Sequence, residues 1–155
     1  MIRRLTKRYI VSSLESLNLS SPLRYERYYI NDNLRIQKKN EILEKEELDD
    51  SNEVLQKVKI NEEEFNTLKD KAYKKIIRDS YLYLDDDRIS IKSYYDDYEG
   101  LNRVEVKFNS EEEMNNFVPY SWMKEEITNT SLAFDKDLSK LSKEEFLKIL
   151  RVYVK

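Results

Sequence analysis

The sequence predicts an α+β fold, an antiparallel β-barrel with a few short helices packed outside it. Three observations carry this. At least seven stretches alternate apolar and polar residues with period two, as strands with one buried face do. Three segments open with an N-cap residue followed three positions later by Glu and then by apolar residues at helical spacing. With 155 residues, 39% of them hydrophobic, the chain is long enough for a single domain with a real core.

Taken in order, the first strand runs from Ile2 to Val11, with Leu5 and Tyr9 on one face and Arg4, Thr6 and Arg8 on the other. Ser12–Pro22 reads as loop. Tyr25–Ile30 and Asn33–Lys38 pair through a turn at Asn31-Asp32, and a further turn falls at Lys39-Asn40, so the acidic run Glu44–Asn52 is expected to be a solvated hairpin tip or loop. Glu53–Ile60 alternates again. Asn61 caps a helix carrying Phe65 and Leu68. Ile76–Leu84, Arg88–Tyr94 and Asn102–Asn109 complete the strands; Ser110 and Ser142 cap two more helices, and Pro119 ends the first of these. Many short strands on hairpin connections favour a sheet that curls or closes.

Composition excludes several chemistries. The chain has no His, no Cys and one Gly. A Ser-His-Asp or Cys-His nucleophile pair, a Cys/His zinc site and a disulfide framework are therefore ruled out. Neither a Walker A loop nor a G-x-G-x-x-G turn can be written with one glycine, so any bound phosphate must be held mostly by side chains. The net charge of −3 hides an asymmetry: residues 1–39 carry +6 and residues 40–155 carry −9. This fits a local anion site in an acidic protein and argues against general nucleic-acid binding. No apolar run approaches the roughly 18 residues of a membrane span and the N-terminus lacks a signal-peptide apolar region, so a cytoplasmic protein without membrane contact is expected.

The strand faces sharpen the anion reading. Strand after strand sets apolar residues on one face and cations on the other: Arg4 and Arg8; Arg35 with Gln37; Lys57 and Lys59; Arg78 with Ser80; Ser90 and Lys92; Arg103, Glu105 and Lys107. If the helices cover the apolar faces, the cations line the interior. Confined like charges repel strongly, so such a lining calls for an anion, hydration or lowered Lys pKa values. The alternative is a one-sided sheet whose cations face bulk water.

Several runs resemble CYTH domains, the triphosphate tunnel metalloenzymes. Gly100-Leu101, Val104–Phe108, Asn109–Glu113, Phe117-Val118-Pro119, Trp122-Met123, Glu126-Ile127-Thr128 and Ser131-Leu132-Ala133 follow that family's pattern; upstream, Leu34–Gln37, Asn61–Leu68 and Ile77–Tyr81 do so too. The resemblance implies a tunnel barrel over residues 1–137; beyond the matched runs, 138–155 is expected to form the C-terminal helix capped at Ser142, packing on the barrel or presenting an interaction face. It also implies a triphosphate-type ligand and a Mg²⁺ or Mn²⁺ cofactor held by tunnel carboxylates. Here most of those acids are replaced: Arg4–Tyr9 stands where the family has E-I-E-R-K-F, Lys107 replaces one acid of the E-V-E strand, and Lys57, Lys59 and Lys92 align with further acids.

The resulting expectation is metal-independent sensing or sequestration, in a cation-lined tunnel, of a phosphorylated ligand such as a nucleotide, a nucleotide signal or polyphosphate, with no catalytic residue and no cofactor. The ligand-binding set is Arg4, Arg8, Arg35, Lys57, Lys59, Arg78, Lys92, Arg103, Glu105 and Lys107, with Tyr25, Tyr29 or Tyr94 as a base-stacking platform. One alternative is a divergent triphosphatase or adenylyl cyclase-like enzyme using Mg or Mn, with Glu105 joined by acids of Asp85-Asp86-Asp87 or Glu99. Another is a scaffold protein that uses its C-terminal helix to dimerise or to meet a partner.

Overall fold

A computed structural model describes residues 5–154. Nine strands form one antiparallel sheet: β1 (Thr6–Val11), β2 (Leu23–Asn31), β3 (Leu34–Lys39), β4 (Ile42–Leu48), β5 (Val54–Lys59), β6 (Lys74–Leu82), β7 (Ile89–Tyr94), β8 (Asn102–Lys107) and β9 (Met123–Glu126). Their spatial order is β5-β4-β3-β2-β6-β7-β8-β1-β9, so β5 and β9 are edges and the sheet is not closed by hydrogen bonds. Four helices accompany it: α1 (Glu62–Lys69), α2 (Glu111–Asn115), α3 (Asp135–Leu138) and α4 (Lys143–Tyr153). None of them is long and apolar enough to cross a membrane.

The three expected caps form. The side chains of Asn61, Ser110 and Ser142 each accept from the backbone N–H three residues on, and Ser142 with Glu145 completes a reciprocal capping box. Gly100 sits at φ 102°, a conformation that a residue with a Cβ rarely adopts, in the turn before β8.

Three features differ from the sequence reading. Ile42–Leu48 is a full strand, not a solvated tip, and its Glu44, Glu46 and Leu48 are buried on one face. Period-two alternation is present there, but it alternates Glu with Lys and Leu, and the density of charge disguised it. The others are α3 and β9, each four residues long and too short to show periodicity.

Both outer faces are covered. Phe65 of α1 packs with Tyr28 and Ile36, while Met114 and Phe117 pack on a cluster that includes Tyr9, Ile91, Val104 and Val106. The inner face is different. Ile10, Tyr29, Leu48, Ile76, Tyr94 and Leu101 join Leu138 of α3 and Phe146 and Leu150 of α4 in an apolar plug. Side chains two positions apart on a strand share a face. One step from that plug the inner positions therefore become Arg8, Arg27, Glu46, Arg78, Lys92 and Arg103.

Candidate functional site

Register brings the charged inner positions together. Arg8 lies opposite Glu105, Lys92 opposite Arg103, Arg35 opposite Glu46, and Glu46 opposite Lys57. They line a cavity of about 270 Å³, together with Arg27, Arg78, Lys107, Asp135 and Lys136.

Of the predicted set, Arg8, Arg35, Lys57, Arg78, Lys92, Arg103, Glu105 and Lys107 line this cavity. Lys59 does not. It stands opposite Glu44 on the edge strand, exposed to solvent. Arg4 lies outside the described residues. The acids invoked for a rebuilt metal site do not reach the cavity either: Asp86 pairs with Arg88 at 2.8 Å in the β6–β7 turn, Asp85 accepts from Asn18, and neither Asp87 nor Glu99 is in the lining. The tyrosines proposed for stacking are committed elsewhere. Tyr29 and Tyr94 are buried in the apolar plug, and the Tyr25 ring lies 4.3 Å from the Arg78 guanidinium carbon.

Sequence reasoning missed Arg27, Glu46, Lys136 and, above all, Asp135. Arg27 shares the period-two face of Tyr25 and Tyr29, so the signal was there. Asp135 accepts from Arg27 Nη1 at 2.8 Å and from Arg78 Nε at 2.9 Å on one oxygen, and from Arg103 Nη2 at 3.2 Å and the Tyr94 hydroxyl on the other. Burial alone would raise its pKa, but Arg78, Arg27 and Arg103 outweigh that and hold the carboxyl well below the usual range. Glu46 is likewise lowered, against its desolvation, by Arg35, Arg27 and Lys57. Arg35 Nε donates to it at 3.0 Å and Lys57 Nζ stands 3.7 Å away. Arg8 Nη2 reaches Glu105 at 3.1 Å, and Arg8 also lies 4.0 Å from the centre of the Phe134 ring.

These pairs leave a surplus of positive charge. Among the described residues, the lining holds nine Lys or Arg against three carboxylates. Desolvation, then Arg35 and Arg78, push the Arg27 guanidinium below its ordinary value despite Asp135. Desolvation and the neighbouring Arg78, Arg103 and Lys107 push Lys92 down to about 7. Its Nζ donates to Ser90 Oγ at 2.7 Å. Two buried donors of the lining, Arg78 Nη1 and Arg103 Nε, have no hydrogen-bond partner among the described residues. An unsatisfied buried donor costs about 1–3 kcal/mol, so both favour an acceptor entering the cavity.

The segment after β9 crosses the cavity and is tied to β1, to β8 and to the turn between β4 and β5. The backbone N–H of Arg8 donates to Thr128 Oγ1 at 3.0 Å, Arg103 Nη1 donates to the Leu132 carbonyl at 3.0 Å, and Lys136 Nζ reaches the Asp49 carbonyl at 3.3 Å. An open sheet thus surrounds a tunnel.

The same architecture occurs in two crystal structures of the protein NE1496, one described as a hypothetical protein and the other as an inorganic triphosphatase. The first aligns over 90% of this chain and 99% of its own with a TM-score of 0.73; the second aligns over 90% and 95% with a TM-score of 0.71. The fold is CYTH-like. Identity is 17% in both comparisons, so the likeness lies in the fold. No protein-family model matches the chain, and no curated protein matches its sequence. Among the described residues of the tunnel and elsewhere, no group of three or more carboxylates is arranged to hold a metal ion.

Proposed function

We propose that the tunnel binds a phosphorylated small molecule through side-chain cations, without a divalent metal and without hydrolysing it. The observation that carries this reading is the surplus of nine cationic side chains over three carboxylates around one small cavity, with Arg78 Nη1 and Arg103 Nε buried and unpartnered. Arg offers planar paired donors to phosphoryl oxygens, and Lys a mobile point charge. The description of NE1496 as an inorganic triphosphatase supports an oligophosphate group as the recognised part of the ligand.

The metal suggested by the CYTH resemblance does not fit the residues present. Mg²⁺ and Mn²⁺ want several convergent oxygens. Here Glu105 faces Arg8, Glu46 faces Arg35 and Lys57, and Asp135 faces three arginines. A divalent ion would have to displace guanidinium groups from each of them.

Calorimetric titration of the full chain with inorganic pyrophosphate tests the reading. Binding is expected in EDTA without any requirement for Mg²⁺ and falling steeply with salt, alongside no phosphate release from tripolyphosphate in Mg²⁺ or Mn²⁺. Binding that requires the metal, or metal-dependent phosphate release lost in Glu105→Gln, would replace it with the enzyme.

A further inference from the structure

The donors of the tunnel are divided between two levels. Nearest the apolar plug, three guanidinium groups and the Tyr94 hydroxyl converge on the Asp135 carboxylate. Such a set of donors is what a bound phosphoryl group would receive, and here the chain itself supplies the anion. Its helix is firmly held. Leu138 is fully buried, the Leu138 carbonyl accepts from the Tyr98 hydroxyl at 2.6 Å, and Lys136 is anchored to the Asp49 carbonyl. Withdrawing Asp135 to admit a ligand would break all of these contacts and strand the buried Arg78 and Arg103 with the half-buried Arg27.

Further from the plug the balance differs. Lys107 lies four residues along β8 from Arg103, about 13 Å at the usual strand rise, and makes no ion pair among the described residues. Lys92 stands at the inner level, opposite Arg103, and its Nζ points outward to Ser90 Oγ at 2.7 Å. The free space of about 270 Å³ lies at the small end for a ligand site.

We propose that Asp135 is an internal counter-anion that permanently fills the anion position nearest the plug, restricting the tunnel to short, densely charged anions of one or two phosphoryl groups in place of an extended triphosphate chain. This rests on the reading of the cavity as an anion site. The bulk of a larger ligand, if present, stays outside the tunnel.

The test compares orthophosphate, pyrophosphate and tripolyphosphate by calorimetry in EDTA at fixed ionic strength, on the unaltered protein and on Asp135→Asn. In the unaltered protein, affinity is expected to rise from orthophosphate to pyrophosphate and to gain less than threefold with the third phosphate. Asp135→Asn is expected to favour tripolyphosphate over pyrophosphate by a further tenfold or more. A tenfold tripolyphosphate preference in the unaltered protein, or an unchanged ratio in the variant, overturns the proposal. The unaltered protein alone decides the matter if the variant does not fold. If no anion binds the unaltered protein, the anion-site reading fails. Asp135 is then judged by melting temperature in sulfate against chloride of equal ionic strength: a sulfate-specific rise in the variant alone retains the counter-anion role, and equal responses overturn it.

Discussion

The two ends of the inner sheet face obey the same alternation yet have opposite contents. At the plugged end Ile10, Tyr29, Leu48, Ile76, Tyr94 and Leu101 meet Phe146 and Leu138 in an apolar core. Two residues further along the same strands, Arg8, Arg27, Glu46, Arg78, Lys92 and Arg103 surround a polar cavity. Strand geometry decides only which side chains point inward; their chemistry decides whether that interior holds the fold together or works against it. Burying apolar area at one end offsets the desolvated charges and unpartnered donors at the other.

The sharpest way to break this contrast is at the plug. Phe146→Ala removes a fully buried ring packed edge-on against Tyr98 and is expected to lower unfolding free energy by about 3–5 kcal/mol in denaturant titrations. Next comes the charged end: Arg35→Met leaves the buried Glu46 carboxylate only the longer approach of Lys57 at 3.7 Å and is expected to cost about 3 kcal/mol. The double variant Arg35→Met/Glu46→Leu should lose less than the single one while weakening anion binding, which would separate stability from function within one ion pair.

Lys92 gives a pH handle. Its pKa of about 7 in the fold lies below its ordinary 10.5, so the unfolded chain binds more protons between these values and the lysine's contribution to stability rises with pH across that window. Anion binding runs the other way, because only the ammonium form attracts the ligand. Sulfate, whose charge is fixed over this range, is expected to bind about tenfold more weakly at pH 8.5 than at pH 6, with the inflection near 7 abolished in Lys92→Met. The smallest effect is expected outside the tunnel. Arg88→Ala loses partly buried pairs to Asp86 and Glu113 outside the cavity and should lower stability by about 1 kcal/mol, leaving sulfate affinity untouched.

Much of this contrast was legible in the sequence. Strand alternation and three capping signals located most elements, and the repeated polar faces opposite apolar residues located seven lining cations and Glu105. What escaped has physical causes. Glu44 and Glu46 belong to a run in which charge outweighs alternation, and burial of a carboxylate becomes intelligible only once its strand partners Gln37 and Arg35 are known. Asp135 lies more than 100 residues from Arg27 and more than 50 from Arg78. No local pattern encodes such a meeting. Lys59 shows the converse: it has the right face, but it sits on an edge strand whose outer end opens to solvent.

The strand order also constrains how the chain assembles. The strands from β2 to β5 follow one another as hairpins, and so do those from β6 to β8; β1 is paired only with β8 and β9, with Arg8 opposite Glu105. At synthesis rates of about 5–20 residues per second, β1 emerges roughly 5–20 s before its first partner exists. Its Tyr9, Ile10 and Val11, all buried in the finished fold, must wait exposed or in chaperone hands. The positive charge of Lys7 and Arg8 beside them keeps that waiting strand from pairing with copies of itself.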